Sequence, residues 1–254
     1  MAQLNFFDCN TYIGRQRKPS PLAFHTVEGL LAEMDYLGID EAVVYHATGG
    51  NGSLMQAIKG HDRLHGCWVY PLHHYPSMPE PIKVVEDMLD QGVKITRLLP
   101  SFYHANLVAD WACGKLFSAF EAYRTPVFLT DSDLGKFPDE TRPSYSAQNI
   151  YDICQRHPQM PLVIMRLNFS AMNIIHPLMN QCPNLHVEIS YYTPHQGVEH
   201  LVHHFGPERI LFGTGMPYNG PGVALGLMRY SELTDEARAL IAGGNLRRLM
   251  AEVG

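Results

Sequence analysis

The side chains best suited to chemistry in this sequence stand at the ends of short apolar runs. Asp8, His46, Asp131 and Glu188 end or directly follow such runs, and His73 and His104 lie just beyond two others. An imidazole titrating near neutrality suits general acid–base work, and a buried carboxyl tuned upward does the same. Asp8, His46, His104 and Asp131 are therefore the candidates for proton transfer, with His46 and His104 the preferred pair. For any single loop histidine, a merely solvated side chain is the competing reading. Tyr191 and His195 are secondary candidates, while His200, His203 and His204 fall in a helical pattern and read as surface residues. Arg97 and Arg166 close two further runs, and Arg15, Arg17 and Lys18 cluster after the first. A guanidinium grips a carboxylate through paired N–H···O bonds, so this set suits a small anionic substrate such as a carboxylate. The alternative makes Arg97 and Arg166 structural, neutralising Asp8, Asp131 or Glu188. Cys9 is either a nucleophile or a small buried hydrophobe, and the second reading is preferred.

These residues need a scaffold that gathers strand ends. The apolar runs are Leu4–Asp8, Ala42–His46, Gly66–Tyr70, Val93–Leu98, Pro126–Thr130, Pro161–Arg166, Asn184–Ser190 and Arg209–Gly213. Most are continuous rather than alternating, as strands covered on both faces must be. Their ends lie 23 to 38 residues apart, room for a loop, a helix and a return turn each time, which parallel strands require. The helical stretches carry their own signals. Val27, Leu30, Leu31, Met34 and Leu37 form one apolar stripe between a Thr26 N-cap and a Gly38 stop, and Val198 to Phe205 repeat the device before Gly206-Pro207. Thr234 opens a last helix that Gly243-Gly244 is expected to break. The pattern predicts a (β/α)8 TIM barrel, α/β in class, as one domain over residues 1–254. No Gly-x-Gly-x-x-Gly follows the first strand, which argues against an open dinucleotide-binding sheet. The long connections Gly14–Phe24 and Asp131–Ala147 fall at the barrel mouth, as lids or as plain solvated connectors.

Composition narrows the function classes. The chain has 254 residues and a net charge of -6, which disfavours broad nucleic-acid binding. No run approaches the ~18 apolar residues of a membrane span, and the N-terminus lacks the parts of a signal peptide, so a cytoplasmic protein with no membrane partner is expected. The cysteines are five, scattered and never Cys-x-x-Cys, which suits reduced thiols. An assembly of identical subunits stays open.

Three segments resemble the amidohydrolase-related family, the branch with small decarboxylases and hydrolases. Phe7-Asp8-Cys9-Asn10-Thr11-Tyr12-Ile13-Gly14 is similar to its opening Asp-x-His-x-His-x-Gly. Residues 207–217, read as Pro-Glu-Arg-Ile-Leu-Phe-Gly-Thr-Gly-Met-Pro, resemble its strand-8 motif, and Gly244-Asn245-Leu246-Arg247-Arg248-Leu249 its closing helix. The resemblance implies a barrel whose strand-1 histidines, histidines near strands 5 and 6 and a strand-8 aspartate bind a divalent metal. At those positions this chain has Asn10, Tyr12, Thr130-Asp131, Arg166-Leu167-Asn168 and Gly215. Zinc wants imidazole, thiolate or carboxylate donors, and arginine adds a fixed positive charge. No metal cofactor is therefore expected; zinc is the alternative.

If Asn10 and Tyr12 keep the inward positions, strict alternation also turns Asp8 inward, and on the sixth strand it sets Arg166 and Asn168 on the face of Leu162 and Ile164. Asn10, Tyr12, Arg97, Arg166, Asn168 and Glu188 then form the substrate-binding set. The expected activity is a hydrolase or decarboxylase-type lyase working without metal on a small carboxylated or oxygen-rich molecule. A non-catalytic binding barrel and a metal enzyme with relocated ligands (His46, His73, His104 and Glu188) are the competing readings.

Overall fold

The structure is a computed structural model, described here for residues 4–15, 23–70, 79–100, 110–130, 146–167 and 171–254. Eight strands, β1 (Phe6–Ile13), β2 (Ile39–His46), β3 (Leu64–Val69), β4 (Ile95–Leu98), β5 (Val127–Thr130), β6 (Leu162–Met165), β7 (Leu185–Glu188) and β8 (Ile210–Leu211), form one parallel sheet in sequence order. β8 returns to β1 through Cys9 N to Phe212 O at 3.0 Å, Gly215 N to Asn10 O at 2.9 Å and Tyr12 N to Met216 O at 3.1 Å. Those bonds close the sheet into a TIM barrel, so no strand edge is left open on either side of the β1–β8 seam.

Helices α1 (Val27–Leu37), α2 (Gly50–Ile58), α3 (Pro81–Asp90), α4 (Asp110–Ala122), α5 (Ala147–Arg156), α6 (Met172–Gln181) and α7 (Gly197–Phe205) wrap the outside, followed by α8 (Gly222–Tyr230), α9 (Asp235–Ala239) and α10 (Asn245–Ala251). The expected ends of α1 are present: Thr26 Oγ1 accepts from Gly29 N, and Gly38 adopts the left-handed conformation at φ 72°. The expected break at Gly243-Gly244 does not occur. α9 runs through a π-turn at Leu240–Gly244 into α10. Gly243 serves close packing instead, since a Cβ there would lie 2.8 Å from the Asn5 carbonyl and 3.0 Å from Phe7 Cβ.

Two apolar layers fill the molecule. The outer one lies between sheet and helices and includes Phe6, Ile13, Val44, Leu98, Leu162, Ile164, Val187 and Ile210. The inner one holds Phe7, Cys9, Val43, Cys67, Ile95, Phe128, Val163, Met165 and Leu211, with Leu246 and Leu249 of α10 closing the floor. The first strand runs five residues further than the apolar pattern suggests. Asn10, past the end of that pattern, has its side-chain amide satisfied inside the barrel.

Candidate functional site

β1 carries the site's centre through an irregularity in its pairing. Its register against β2 shifts between Asp8 and Thr11. Phe7 and Cys9 face the inner core, so Asp8 turns to the opposite side of the strand. The shift then lets Asn10, next to Cys9, face inward as well. The expectation that Asp8 shares the inward face of Asn10 and Tyr12 is thus corrected: a bulge breaks the alternation. Asp8 instead staples β1 to β8. It accepts from Asn10 N at 2.9 Å, from Thr214 N at 3.0 Å and from the Thr214 hydroxyl. Burial pushes its pKa up to about 6 against the pull of those hydrogen bonds.

Asn10 links two opposite charges without letting them touch. Arg97 Nη2 donates to Asn10 Oδ1 at 3.1 Å, while Asn10 Nδ2 donates to Glu188 at 3.2 Å and to Ser190 Oγ at 3.4 Å. Glu188 also accepts from the Ser190 amide and hydroxyl and, at 2.8 Å, from the Arg166 amide. Burial raises the Glu188 pKa, opposed by these donors. Gly213 makes the meeting possible, since a Cβ there would lie 2.6 Å from a Glu188 oxygen and 2.9 Å from Asn10 Cβ.

Arg97, 1% exposed, is the largest fully buried side chain of the described residues. Its guanidinium lies 4.2 Å from the centre of the Tyr45 ring and 6.0 Å from that of Phe128, which settles its direction as inward. Its Nε is buried and has no hydrogen-bond partner among the described residues.

Arg166 reaches the mouth by a different route from the one alternation predicts. Leu162 and Ile164 belong to the outer layer and Val163 and Met165 to the inner one. Arg166 follows the strand end with φ 59°, a left-handed conformation that costs a side-chain-bearing residue roughly 1 kcal/mol. That kink sends its amide to Glu188 and its guanidinium to within 4.7 Å of the Tyr218 ring centre. Arg166 Nε is also buried and unpartnered among the described residues. Tyr12 packs against Tyr45 with ring centres 5.1 Å apart and the planes tilted by 40°, and burial raises its phenol pKa, so it stays a neutral hydrogen-bonding group.

His46 does not join this group. It follows Tyr45 on β2 and so turns to the other face, where its Nδ1 accepts from Thr48 N at 3.3 Å and Gly49 N at 2.6 Å. That holds the ring as the Nε2–H tautomer, and burial lowers its pKa. Cys9 is packed in the inner core with its pKa raised by burial and by Glu188 and Asp8, which suits the small-hydrophobe reading. His73, His104, Asp131, Asn168, Arg17 and Lys18 lie outside the described residues. Four contributors were not anticipated: Tyr45, Ser190, Thr214 and Tyr218. Ser190 and Thr214 stand two residues from Glu188 and inside the strand-8 motif, a signal that spacing carries. Tyr45 and Tyr218 look like ordinary aromatic residues until the barrel closes.

The parallel eight-stranded barrel with polar strand ends at one mouth defines the class: an α/β-barrel protein with its site where such barrels bind small molecules. The family model described as Amidohydrolase matches residues 13–250. This chain belongs to the amidohydrolase family, and the match begins just after Asn10 and Tyr12. No curated protein matches the sequence. Among solved structures it is similar to an uncharacterized TIM-barrel protein from Bordetella bronchiseptica (18% identity, TM-score 0.74, 98% of this chain and 99% of that one). It is also similar to 5-carboxyvanillate decarboxylase from Sphingomonas paucimobilis (13%, 0.72, 99% and 100%). A third is a probable 2-pyrone-4,6-dicarboxylic acid hydrolase from Acinetobacter baumannii with citric acid bound (15%, 0.69, 98% and 100%). These likenesses establish the fold.

Proposed function

We propose that the chain is an enzyme that binds a small carboxylated ring compound at the barrel mouth and cleaves it by hydrolase or decarboxylase-type chemistry without a metal ion. The observation that carries this reading is the pair of guanidiniums with spare donors. Arg166 is stacked on Tyr218 with no carboxylate partner among the described residues, and Arg97 bonds the Asn10 amide and the Cys67 thiol rather than an acid, with its Nε unpartnered among the described residues. In this reading Arg166 takes the incoming carboxylate, and Arg97, 1% exposed, contributes its charge from below. Carboxyvanillate and pyrone dicarboxylic acid, the compounds named for two structural neighbours, are ring molecules of that kind.

The donors at the family's metal positions do not fit a dication. The Asn10 oxygen is taken by Arg97, Gly215 offers no side chain, and Tyr12 keeps its proton. Among the described residues no three His, Cys, Asp or Glu side chains are arranged to hold an ion. In this reading Arg166 and Tyr12 orient the substrate carboxylate, and Arg97 supplies a fixed positive field beneath it. Asp8 and Glu188 are the buried carboxyls whose pKa values burial raises, Asp8 to about 6, and they are the candidate proton carriers of this reading.

A second reading, a non-catalytic binding barrel, is favoured by one observation: both carboxyls have their oxygens engaged by internal donors. The test is a panel of hydroxybenzoates and pyrone dicarboxylates incubated with chelator-treated protein. Product from untreated and treated protein alike, with Arg166→Met weakening substrate binding at least tenfold in a folded variant, is the expected outcome. Tight binding with the ligand recovered intact would establish the binding barrel. Activity lost to chelation and restored by manganese or zinc would end the metal-free reading.

A further inference from the structure

A guanidinium binds through two separate surfaces: a flat face that stacks on an aromatic ring, and an edge of N–H donors that grips a carboxylate. Arg247, at the floor of the barrel, uses both. It lies 5.2 Å from the Phe7 ring centre, while its Nε and Nη2 donate to one Glu41 oxygen at 3.1 and 2.6 Å. Arg166, at the mouth, shows the first half of this arrangement. It lies 4.7 Å from the Tyr218 ring centre, and no carboxylate among the described residues pairs with it. The ring is present and the acid is not.

Tyr218 is 58% exposed, so its backbone places it rather than burial. The segment after β8 is tied to β1 by Tyr12 N, which donates to the Met216 carbonyl at 3.1 Å, and it turns back on itself through Asn219 N to the Gly215 carbonyl at 2.9 Å. Tyr218 therefore sits between two anchored residues. Arg166 leaves β6 in a left-handed conformation with its amide on Glu188, and the Tyr218 ring meets the far end of its side chain. We propose that Tyr218 is the positioning residue of the carboxylate site: it holds Arg166 by the guanidinium face and leaves the N–H edge for the substrate carboxylate. An acid in the place of this ring would also hold the arginine, but it would compete with the substrate for the same donors. A ring does not. The proposal rests on the carboxylate reading above and adds to it the residue that sets how firmly the carboxylate is held.

The probe is isophthalate, a benzene ring with two carboxylates. In calorimetric titration Tyr218→Leu is expected to bind it roughly fivefold more weakly than the unaltered protein, and Tyr218→Phe, which keeps the ring, within about twofold. Because Tyr218 acts through Arg166, Tyr218→Leu should cost nothing further in an Arg166→Met background. The Nε–H NMR signal of Arg166, assigned by its loss in Arg166→Met, should gain mobility in Tyr218→Leu and stay rigid in Tyr218→Phe. Undiminished binding by Tyr218→Leu, or a loss that persists without Arg166, overturns the positioning role. No binding by the unaltered protein, or equal binding by Arg166→Met, overturns the carboxylate reading instead. The NMR signal then judges Tyr218 by itself: mobility gained in Tyr218→Leu supports its hold on Arg166, and a signal as rigid as before overturns it.

Discussion

The barrel solves the same electrostatic problem at its two ends in opposite ways. At the floor, Arg247 and Glu41 meet directly: Nε and Nη2 donate to one carboxylate oxygen at 3.1 and 2.6 Å, and His65 reaches the other at 2.8 Å. The guanidinium also sits 5.2 Å from the Phe7 ring centre. This pair is partly wet. At the mouth, Arg97 and Glu188 are both buried, and an asparagine amide stands between them. Direct pairing consumes a cation's donors and its charge. With the amide interposed, Arg97 Nε has no partner among the described residues, and burial raises the Glu188 pKa. One arrangement pairs its charges directly, and the other keeps them apart.

Removing the cation from each end is the strongest way to break that contrast. Arg97→Met leaves Asn10 Oδ1 without its donor and removes the buried cation linked to Glu188 through that amide, in a space from which water is excluded. Stripping one member of a buried charged set costs about 3–5 kcal/mol. Urea unfolding should show a loss of this size for Arg97→Met, and a loss no larger than that of the floor variant below would refute the contrast.

The next effect uses one titratable group from each end. Asp8, near the mouth, has its pKa raised by burial to about 6, while His186, inside the barrel near α10, has its pKa lowered by burial to about 4. Asp8 holds its proton more tightly in the folded state, so its contribution is full below about pH 4 and is lost as pH rises through about 6. His186 binds its proton less tightly when folded, so its contribution is full above about pH 6.5 and is lost as pH falls through about 4. The two oppose each other over one window, each by about 3 kcal/mol. From pH 4 to 6.5, the stability of Asp8→Asn measured relative to the unaltered protein should rise, and that of His186→Phe should fall. Parallel profiles would show that the two burials do not differ in this way.

These arguments also separate what could be read from the residues alone. The parallel barrel class and the α1 caps follow from continuous apolar runs at crossover spacing, from the helical period of 3.6 and from end signals such as Thr26 and Gly38. The inward direction of Glu188 follows from alternation on a regular strand. Asp8 and Arg166 were misplaced for the same physical reason. A bulge on β1 and a left-handed residue after β6 break alternation, and both are fixed by contacts with strands distant in sequence, β8 and β7. His46 shows the converse. Its position at a strand end was legible, but its ring is claimed by two amides of its own turn.

A milder perturbation sharpens the picture of the mouth. Gly213→Ala would press a methyl group on Glu188 and Asn10, both held by several hydrogen bonds and unable to retreat freely. Overpacking of this kind costs about 1–3 kcal/mol. Calorimetry should show a lower melting temperature, and substrate binding should weaken with it because the relay to Arg97 is displaced. A variant that melts as before would mean that the mouth is loosely packed.

The smallest effect is expected at the floor. Arg247 and Glu41 side chains are 35% and 29% exposed, so water already competes for the bond between them. Glu41 keeps His65 as a partner when Arg247 is lost, and Asn5 Oδ1, which accepts from Arg247 Nη2, has solvent to turn to. Arg247→Met also retains much of the apolar stem that covers Phe7. Partly exposed ion pairs contribute about 0–1 kcal/mol, and added salt screens them. Denaturation of this variant should therefore differ from the unaltered protein by no more than about 1 kcal/mol in dilute buffer, with the difference shrinking at high salt. The Arg97→Met loss should persist there, because mobile ions do not reach a guanidinium that is 1% exposed. A floor deficit that is large and insensitive to salt would mean that α10 depends on this ion pair rather than on Leu246 and Leu249.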